Sequence, residues 1–150
     1  MTLSRVSASD PPALTAAVPE LLGQVAHQVS RRIEAALGPD GPTLEQWRVL
    51  ALLADGTGRP MTEIAGHAMV PAPTLTKIVD RLVDRALVYR RADETDRRRV
   101  LVFLSEHGRR THARLAPAVA GVADALIGEL GAQDAARLAE LLERLRALPA

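Results

Sequence analysis

The sequence predicts a mainly α-helical chain that is interrupted by a single β-hairpin, and three observations support that prediction. Apolar residues recur at steps of three and four over most of the chain, which is the spacing of amphipathic helices. Two short runs, Leu87–Tyr89 and Val100–Leu104, are instead rich in β-branched or aromatic residues, as strands are. Glycines and prolines, as in residues 38–42, separate these segments and mark their ends.

Length and composition narrow the class of protein. A chain of 150 residues suits one domain, 1–150, with a core of its own. The absence of cysteine excludes disulfides, thiolate metal sites and a cysteine-based peroxide sensor. The charge-free apolar stretch Leu115–Ala123 is far too short for a membrane helix, and Met1–Pro12 has no signal-peptide pattern. We therefore expect a cytoplasmic protein that does not enter a membrane.

The first helices are predicted from periodicity and capping signals. A leucine and valine stripe predicts a long helix over residues 14–38, in which Pro19 indicates a kink or a later start. Thr43, followed three places on by Gln46, forms a capping box that opens a second helix ending near Gly56.

Two further helices have the spacing of a helix-turn-helix motif. Thr62 is the expected N-cap of a short helix that ends at Ala68, and residues 69–71 form a turn. The next helix is predicted over residues 73–86. In this motif the second helix enters the DNA major groove with its N-terminal end first.

The hairpin and the terminal helices complete the predicted architecture. Residues 90–99 form a charged hairpin tip, and Ser105 caps a long helix to about Leu130, with Pro117 as a bend. The last helix spans residues 132–148 and carries a leucine stripe. Terminal helices with apolar stripes need a partner in so short a chain, which predicts a homodimer. The predicted fold is therefore a winged helix-turn-helix lobe, residues 43–104, flanked by dimerisation helices at 14–38 and 105–148.

Charge is distributed unevenly along the chain. The whole chain has a net charge of only +1, whereas residues 71–101 hold eight basic and five acidic side chains, a net charge of +3. A basic segment of this kind is the electrostatic signature of a DNA-binding surface, because clustered cations release the counterions that are condensed on the phosphates.

Chemistry then selects the residues expected to contact DNA. Short hydroxyls and a lysine near the N-terminal end of the fourth helix suit phosphates and base edges, and an arginine at the hairpin tip suits the narrow minor groove. The predicted DNA-contacting residues are Pro73, Thr74, Thr76, Lys77 and Arg81 in the helix and Arg97 and Arg98 in the hairpin.

With these residues in view, the chain resembles the MarR family of winged-helix regulators over nearly its whole length. The likeness is carried by Thr74–Leu82, Leu87–Arg90, Asp96–Arg98, Leu104–Ser105 and Gly108, which follow the family's recognition helix, strand, wing and fifth-helix entry in order. Ala86, Ser105 and Pro71 depart from the family pattern, which commonly has glycine, threonine and a capping residue at these positions.

The resemblance implies a function and some residue roles. Arg98 corresponds to the family's minor-groove arginine, and Arg90 and Asp96 correspond to a wing arginine and aspartate. It also implies a homodimeric repressor on a pseudo-palindromic double-stranded operator, and a small-molecule effector bound between the dimer region and the DNA-binding lobe. An acid is repelled by DNA, so we expect Asp96 to pair with Arg90 or a neighbouring arginine and hold the shape of the wing.

Other interpretations of the same residues remain open. The helix and hairpin could serve as a protein interaction module that docks an acidic partner, and the arginine tip could be a solvated surface. Trp47 suits core or interface packing, or the wall of a ligand pocket. His107 and His112 are poorly spaced for a metal site, and no catalytic arrangement or cofactor motif is recognisable, so we expect no metal, no cofactor and no enzymatic activity.

Overall fold

The structure is a computed structural model, and it describes residues 11–149. This range contains six α-helices, a 3-10 turn at Leu53–Asp55 and three strands, so the mainly helical fold with a small hairpin is confirmed. The helices are α1 (Pro11–Leu37), α2 (Leu44–Leu52), α3 (Met61–Ala68), α4 (Ala72–Asp84), α5 (Glu106–Leu130) and α6 (Ala132–Arg146), and the strands are β1 (Arg59–Pro60), β2 (Val88–Ala92) and β3 (Val100–Leu104).

Two predicted helix caps are confirmed. The backbone N–H of Gln46 donates to Thr43 Oγ1 at 3.3 Å, and the backbone N–H of Thr43 donates to Gln46 Oε1 at 3.1 Å, which is the reciprocal capping box of α2. At α5, Ser105 Oγ accepts the backbone N–H of Gly108 at 2.8 Å. Each cap satisfies donors that have no partner inside the helix.

Other predicted helix boundaries are wrong. The N-cap of α3 is Pro60, with extended backbone angles, and Thr62 lies inside the helix. Helix α1 begins at Pro11 and continues through Pro19, so that proline is not its start. Helix α4 ends at Asp84, two residues before the predicted end, because Ala86 has a left-handed backbone conformation.

The strands form one antiparallel sheet in the order β1-β3-β2. In the hairpin Val88 is opposite Leu104 and Ala92 is opposite Val100, whereas β1 adds Arg59 opposite Val102 on the other side of β3. Strand β1 was not predicted, because two residues are too few to show an alternating pattern.

The main core fills the space between α2, α3, α4 and the sheet. Its members are nearly inaccessible to solvent, and nine of them have 0% exposure: Val49, Leu50, Leu53, Ile64, Ala68, Leu75, Val79, Leu82 and Val102. A core of this kind lets residues 43–104, here called the winged lobe, pack as one unit.

The terminal helices are packed much more sparsely. A small cluster of Leu37, Trp47 and Leu115 joins α1, α2 and α5, and α6 has no buried residue. Large apolar side chains on these helices remain exposed, among them Val18, Leu21, Leu22, Val25, Ile127, Leu130, Leu138, Leu141, Leu142, Leu145 and Leu148.

The length and hydropathy of the helices bear on membrane insertion. Within residues 11–149, no single helix is long and apolar enough to cross a bilayer. Only the pair α5 and α6, which is bent by 110°, meets the length and composition limits when the two helices are counted together.

Candidate nucleic-acid interface

Helices α3 and α4 are joined by a tight turn at residues 69–71. Met69 ends α3 in a left-handed conformation with φ 57°, and Pro71 precedes α4 with φ −61° and ψ 150°. Pro73 lies in the first turn of α4, where its missing N–H leaves no hydrogen bond unmade. The predicted helix-turn-helix arrangement is therefore present.

Helix α4 has one buried and one exposed face. Leu75, Ile78, Val79 and Leu82 are buried in the core, which turns the remaining positions to solvent. All five predicted contact residues of this helix are exposed: Pro73, Thr74, Thr76, Lys77 and Arg81. The hydroxyl of Thr76 already donates to the Ala72 carbonyl oxygen at 3.1 Å, which leaves its methyl group and oxygen lone pairs for contact.

The C-terminal end of α4 is attached directly to the start of α5. The N–H groups of Ala86 and Leu87 donate to the carbonyl oxygens of Val83 and Leu82, at 2.8 and 2.9 Å, in the pattern of a Schellman cap. Ser105 Oγ then donates to the Ala86 carbonyl oxygen at 2.6 Å. These bonds connect the proposed DNA-reading helix to a terminal helix.

Gly108 allows this close connection. A β-carbon at that position would lie 2.0 Å from the Leu87 carbonyl oxygen, so any larger residue would push α5 away from the end of α4. The glycine quoted for the family resemblance thus has a steric reason in this structure.

The tip of the hairpin, here called the wing, is held by short-range hydrogen bonds. The backbone N–H and the hydroxyl of Thr95 donate to Asp93 Oδ1 at 2.9 and 2.8 Å, and these bonds hold the pKa of the Asp93 carboxyl below its usual value. The N–H of Asp93 donates to the Arg99 carbonyl oxygen at 2.9 Å and closes the loop. The exposed Arg97 and Arg98 therefore project from a loop with a defined shape.

The expected pairing of Arg90 with Asp96 is not what the structure shows. Arg90 Nη2 lies 2.6 Å from Oδ1 of Asp80 on α4, and Asp96 instead accepts the backbone N–H of Arg98 at 3.0 Å. Of the two expected partners only Arg90 is wrong, because Asp96 holds the wing through the N–H of the neighbouring Arg98, as an aspartate two residues before an N–H readily does. The pairing of Arg90 with Asp80, on the exposed face of α4, was not predicted.

The remaining cations of the surface differ in whether they have a partner. Arg91 is paired with Glu94 at 2.8 Å. Within residues 11–149, Lys77, Arg81, Arg97 and Arg98 form no salt bridge with any acidic side chain. Arg85, the C-cap of α4, and Arg99 in the wing are also exposed and form no salt bridge within these residues. Six cations of α4, its cap and the wing are thus available to an anionic ligand.

The comparisons with known proteins agree with this geometry. A model of the MarR family matches residues 40–99, which cover α2 to the wing. The HTH-type transcriptional regulator FarR of Neisseria gonorrhoeae is 32% identical over 103 residues, which are 69% of this chain and 70% of that protein. The chain belongs to the MarR family.

Two solved structures extend the likeness of this MarR-family chain to nearly the whole fold. The transcriptional repressor CouR, bound to a 23-mer DNA duplex, is 28% identical with a TM-score of 0.79, covering 95% of this chain and 99% of that one. NadR in complex with 4-hydroxyphenylacetate is 26% identical with a TM-score of 0.75, covering 87% and 95%. The chain is a DNA-binding transcriptional regulator, which agrees with the expectation that it is not an enzyme.

Two further parts of this regulator were only partly predicted. Trp47 is buried and its ring stacks on His112, with centroids 4.9 Å apart, where α2 meets α5. Burial lowers the pKa of His112. On β1, Arg59 bridges Asp55 and Glu63, both at 2.6 Å, and these pairs join three different elements, so their spacing along the chain did not predict them.

A metal site requires several histidine or acidic side chains close together. Within the described part of the chain no three histidine or acidic side chains come close enough to hold a metal ion. His107 and His112 are therefore not part of such a cluster.

Proposed function

We propose that this MarR-family regulator is a sequence-specific repressor that acts as a homodimer on a pseudo-palindromic operator. The observation that carries the proposal is a group of exposed cations on α4 and the wing, among them Lys77, Arg81, Arg97 and Arg98, that form no salt bridge within residues 11–149. The buried core of the lobe supports the surface that carries them. Two copies of α4 would lie in successive major grooves, about 34–36 Å apart, with the wings in the flanking minor grooves.

Each residue of the surface has a proposed role. Pro73, Thr74 and Thr76 lie in the first turns of α4 and approach base edges and thymine methyl groups, and Lys77 reaches a guanine edge or a phosphate. Arg81, one turn further on, binds a phosphate and sets the position of the helix. Arg97 or Arg98 enters the minor groove, where the negative potential favours a guanidinium group.

The dimer is proposed from the apolar surface of the terminal helices. Residues 14–38 and 105–148 carry most of the large exposed apolar side chains of the described chain, including all of its exposed leucines. Side chains of α1 and α6 line an apolar groove of about 570 Å³ that includes Leu21, Val25, Leu138 and Leu142. A contiguous exposed apolar surface is typical of an interface, and a second copy of these helices would cover it.

A small-molecule effector is proposed on the strength of the relatives. The complex of NadR with 4-hydroxyphenylacetate shows that a protein of this fold binds a small organic acid. In this chain the junction between the winged lobe and the terminal helices, around Trp47 and His112, is the proposed point at which an effector changes DNA binding. A regulator of genomic DNA is expected to work in the cytoplasm.

The contact residues can be tested one by one. Lys77→Ala and Arg98→Ala should each weaken binding to a selected duplex about tenfold at fixed salt, because each removes about 1–3 kcal/mol of base or groove contact. Arg32→Ala removes the same charge from the exposed face of α1 and serves as the control. Equal affinities for wild type, Lys77→Ala and Arg98→Ala in gel-shift titrations would refute the proposed surface.

The alternative of a protein interaction module predicts a different salt dependence. A protein that neutralises several phosphates has a steep negative slope of log affinity against log salt, about 0.9 per phosphate contacted. Replacing one phosphate-binding cation such as Arg81 with alanine should reduce that slope by about one. A flat slope with duplex DNA would favour the interaction module.

A further inference from the structure

We infer that Asp80 is a positioning residue that determines DNA specificity by fixing the wing to the recognition helix through Arg90. The Arg90 guanidinium lies 2.6 Å from the Asp80 carboxylate, across the turn that joins α4 to β2. In the described part of the chain it is the one salt bridge that joins α4 to the sheet. The inference rests on the proposed function, in which α4 and the wing bind DNA together.

The pair lies at the outer edge of the core and is not needed to fill it. Along β2, Val88 is buried, and Arg90 follows two residues later on the same face, opposite the buried Val102. The side chains of Arg90 and Asp80 remain 35% and 52% exposed. An exposed ion pair contributes little to the free energy of unfolding, so a role in folding alone does not account for it.

A small rotation at the Arg90–Asp80 contact would move the tip of the wing by a larger distance. Arg98 lies about four residues beyond the pair along the ribbon, a distance of about 13 Å at the rise of an extended strand. A rotation of ten degrees at Arg90 would therefore move the tip by about 2 Å, which exceeds the tolerance of roughly 0.5 Å for a well-formed contact. If Arg90 holds the wing in place, the wing stays close to the minor groove once α4 is bound in the major groove. The contact between Arg98 and the minor groove then forms at a high effective concentration.

The negative charge of Asp80 by itself predicts the opposite effect on DNA binding from a positioning role, and this makes the inference testable. Asp80 lies on the exposed face of α4 three residues after Lys77, and a carboxylate there repels phosphates. If Asp80 were only a solvated acid, its neutralisation would raise the affinity for every duplex. If it positions the wing, its neutralisation lowers the preference for the operator over other DNA.

The experiment compares two duplexes, one recovered from a randomised pool by selection with the wild-type protein, and one with the same base composition in scrambled order. We expect Asp80→Asn to lower the ratio of the two affinities about fivefold, the size of one exposed ion pair, with the thermal midpoint unchanged. Hydroxyl-radical cleavage should show weaker protection of the flanking minor grooves, whereas dimethyl sulfate protection of guanines in the major groove persists.

Two matched variants complete the design. Asp84→Asn removes the same charge one turn later on α4, where no salt bridge is formed within residues 11–149, and it should leave the affinity ratio at the wild-type value. The exchange Asp80→Arg with Arg90→Asp restores the pair with reversed polarity and should recover most of the ratio.

The inference is overturned if Asp80→Asn behaves like Asp84→Asn, with both duplexes binding more tightly by the same factor, or if the exchanged pair is no better than Asp80→Asn. Failure of the proposed function has a different signature, because Lys77→Ala and Arg98→Ala would then bind the selected duplex as wild type does.

Discussion

The winged lobe and the terminal helices solve the problem of burying apolar surface in different ways. In the lobe, Leu50, Ile64 and Leu82 are completely buried by other residues of the same lobe. In α6, Leu138, Leu142 and Leu145 remain 41–46% exposed, and the helix has no buried residue. The lobe is therefore stable through its own contacts, whereas the terminal helices have an apolar stripe that a single copy leaves in water.

The largest expected effect concerns the terminal helices. Leu138→Asp with Leu142→Asp should raise the dissociation constant of the proposed dimer by about a thousandfold or more, because each buried, unpaired carboxylate costs several kcal/mol. Sedimentation equilibrium would detect the change, and circular dichroism should show that the lobe stays folded. A dimer that survives both substitutions would place the interface elsewhere.

The next largest effect is on the free energy of unfolding, which we compare for one leucine of the winged lobe and one leucine of the terminal helices. Leu82→Ala leaves a cavity in a closed core and should lower the free energy of unfolding by about 2–5 kcal/mol in urea titrations. Leu141→Ala, at a position that is 39% exposed, should have a smaller effect that depends on protein concentration, because its contacts are made across the dimer. Equal losses at the two sites, independent of concentration, would contradict the division into two regions.

A third prediction uses backbone strain at the end of α4. Ala86 has φ 55°, a left-handed conformation that disfavours any residue with a β-carbon. Ala86→Gly should raise the free energy of unfolding by about 1 kcal/mol. The same exchange in the exposed helix interior, Ala136→Gly, should lower it by about 1 kcal/mol, so thermal melts that shift in the same direction for both variants would exclude this explanation.

The smallest expected effect is the pH dependence of stability at His112, where the winged lobe meets α5. Burial lowers the pKa of His112 below its ordinary value of 6.5, so the unfolded chain takes up the proton first as the pH falls. Stability should therefore decrease as the pH drops below about 6.5, until the folded-state pKa is passed. His112→Phe keeps an aromatic ring against Trp47 and should flatten this part of the profile of thermal midpoint against pH.

Carboxylates change the stability at more acidic pH than His112 does, so they serve as an internal control in the profile of thermal midpoint against pH. Hydrogen bonds lower the pKa values of Asp55, Asp93 and Glu106, mainly from Thr57, Thr95 and Arg109 respectively. Their contribution is present above their ordinary values of 3.8–4.5 and is lost at more acidic pH. The His112→Phe variant should retain this acidic decrease, and a wild-type profile that is flat between pH 5 and 6.5 would rule out the role given to His112.

Much of the candidate site could be predicted because its signals are local. The exposed face of α4 follows from a helical period of 3.6 residues, and the caps at Thr43 and Ser105 follow from the donors that the first turn leaves unpaired. Pairing of Arg90 with Asp80 could not be predicted in the same way, since a separation of ten residues across a turn leaves several acids within reach. The expected pair of Arg90 with Asp96 was wrong for this reason, although Asp96 does contact the neighbouring Arg98 within the wing.

By itself, the sequence determined the order of helices and strands, the apolar faces that must be buried and the concentration of positive charge in residues 71–101. These properties depend on neighbours a few residues apart, so they can be read without coordinates. Only the tertiary structure decided that β1 joins the sheet, that Arg90 reaches α4 and that Trp47 stacks on His112. Each of these contacts joins segments that are distant along the chain, and their geometry is set by how the core packs.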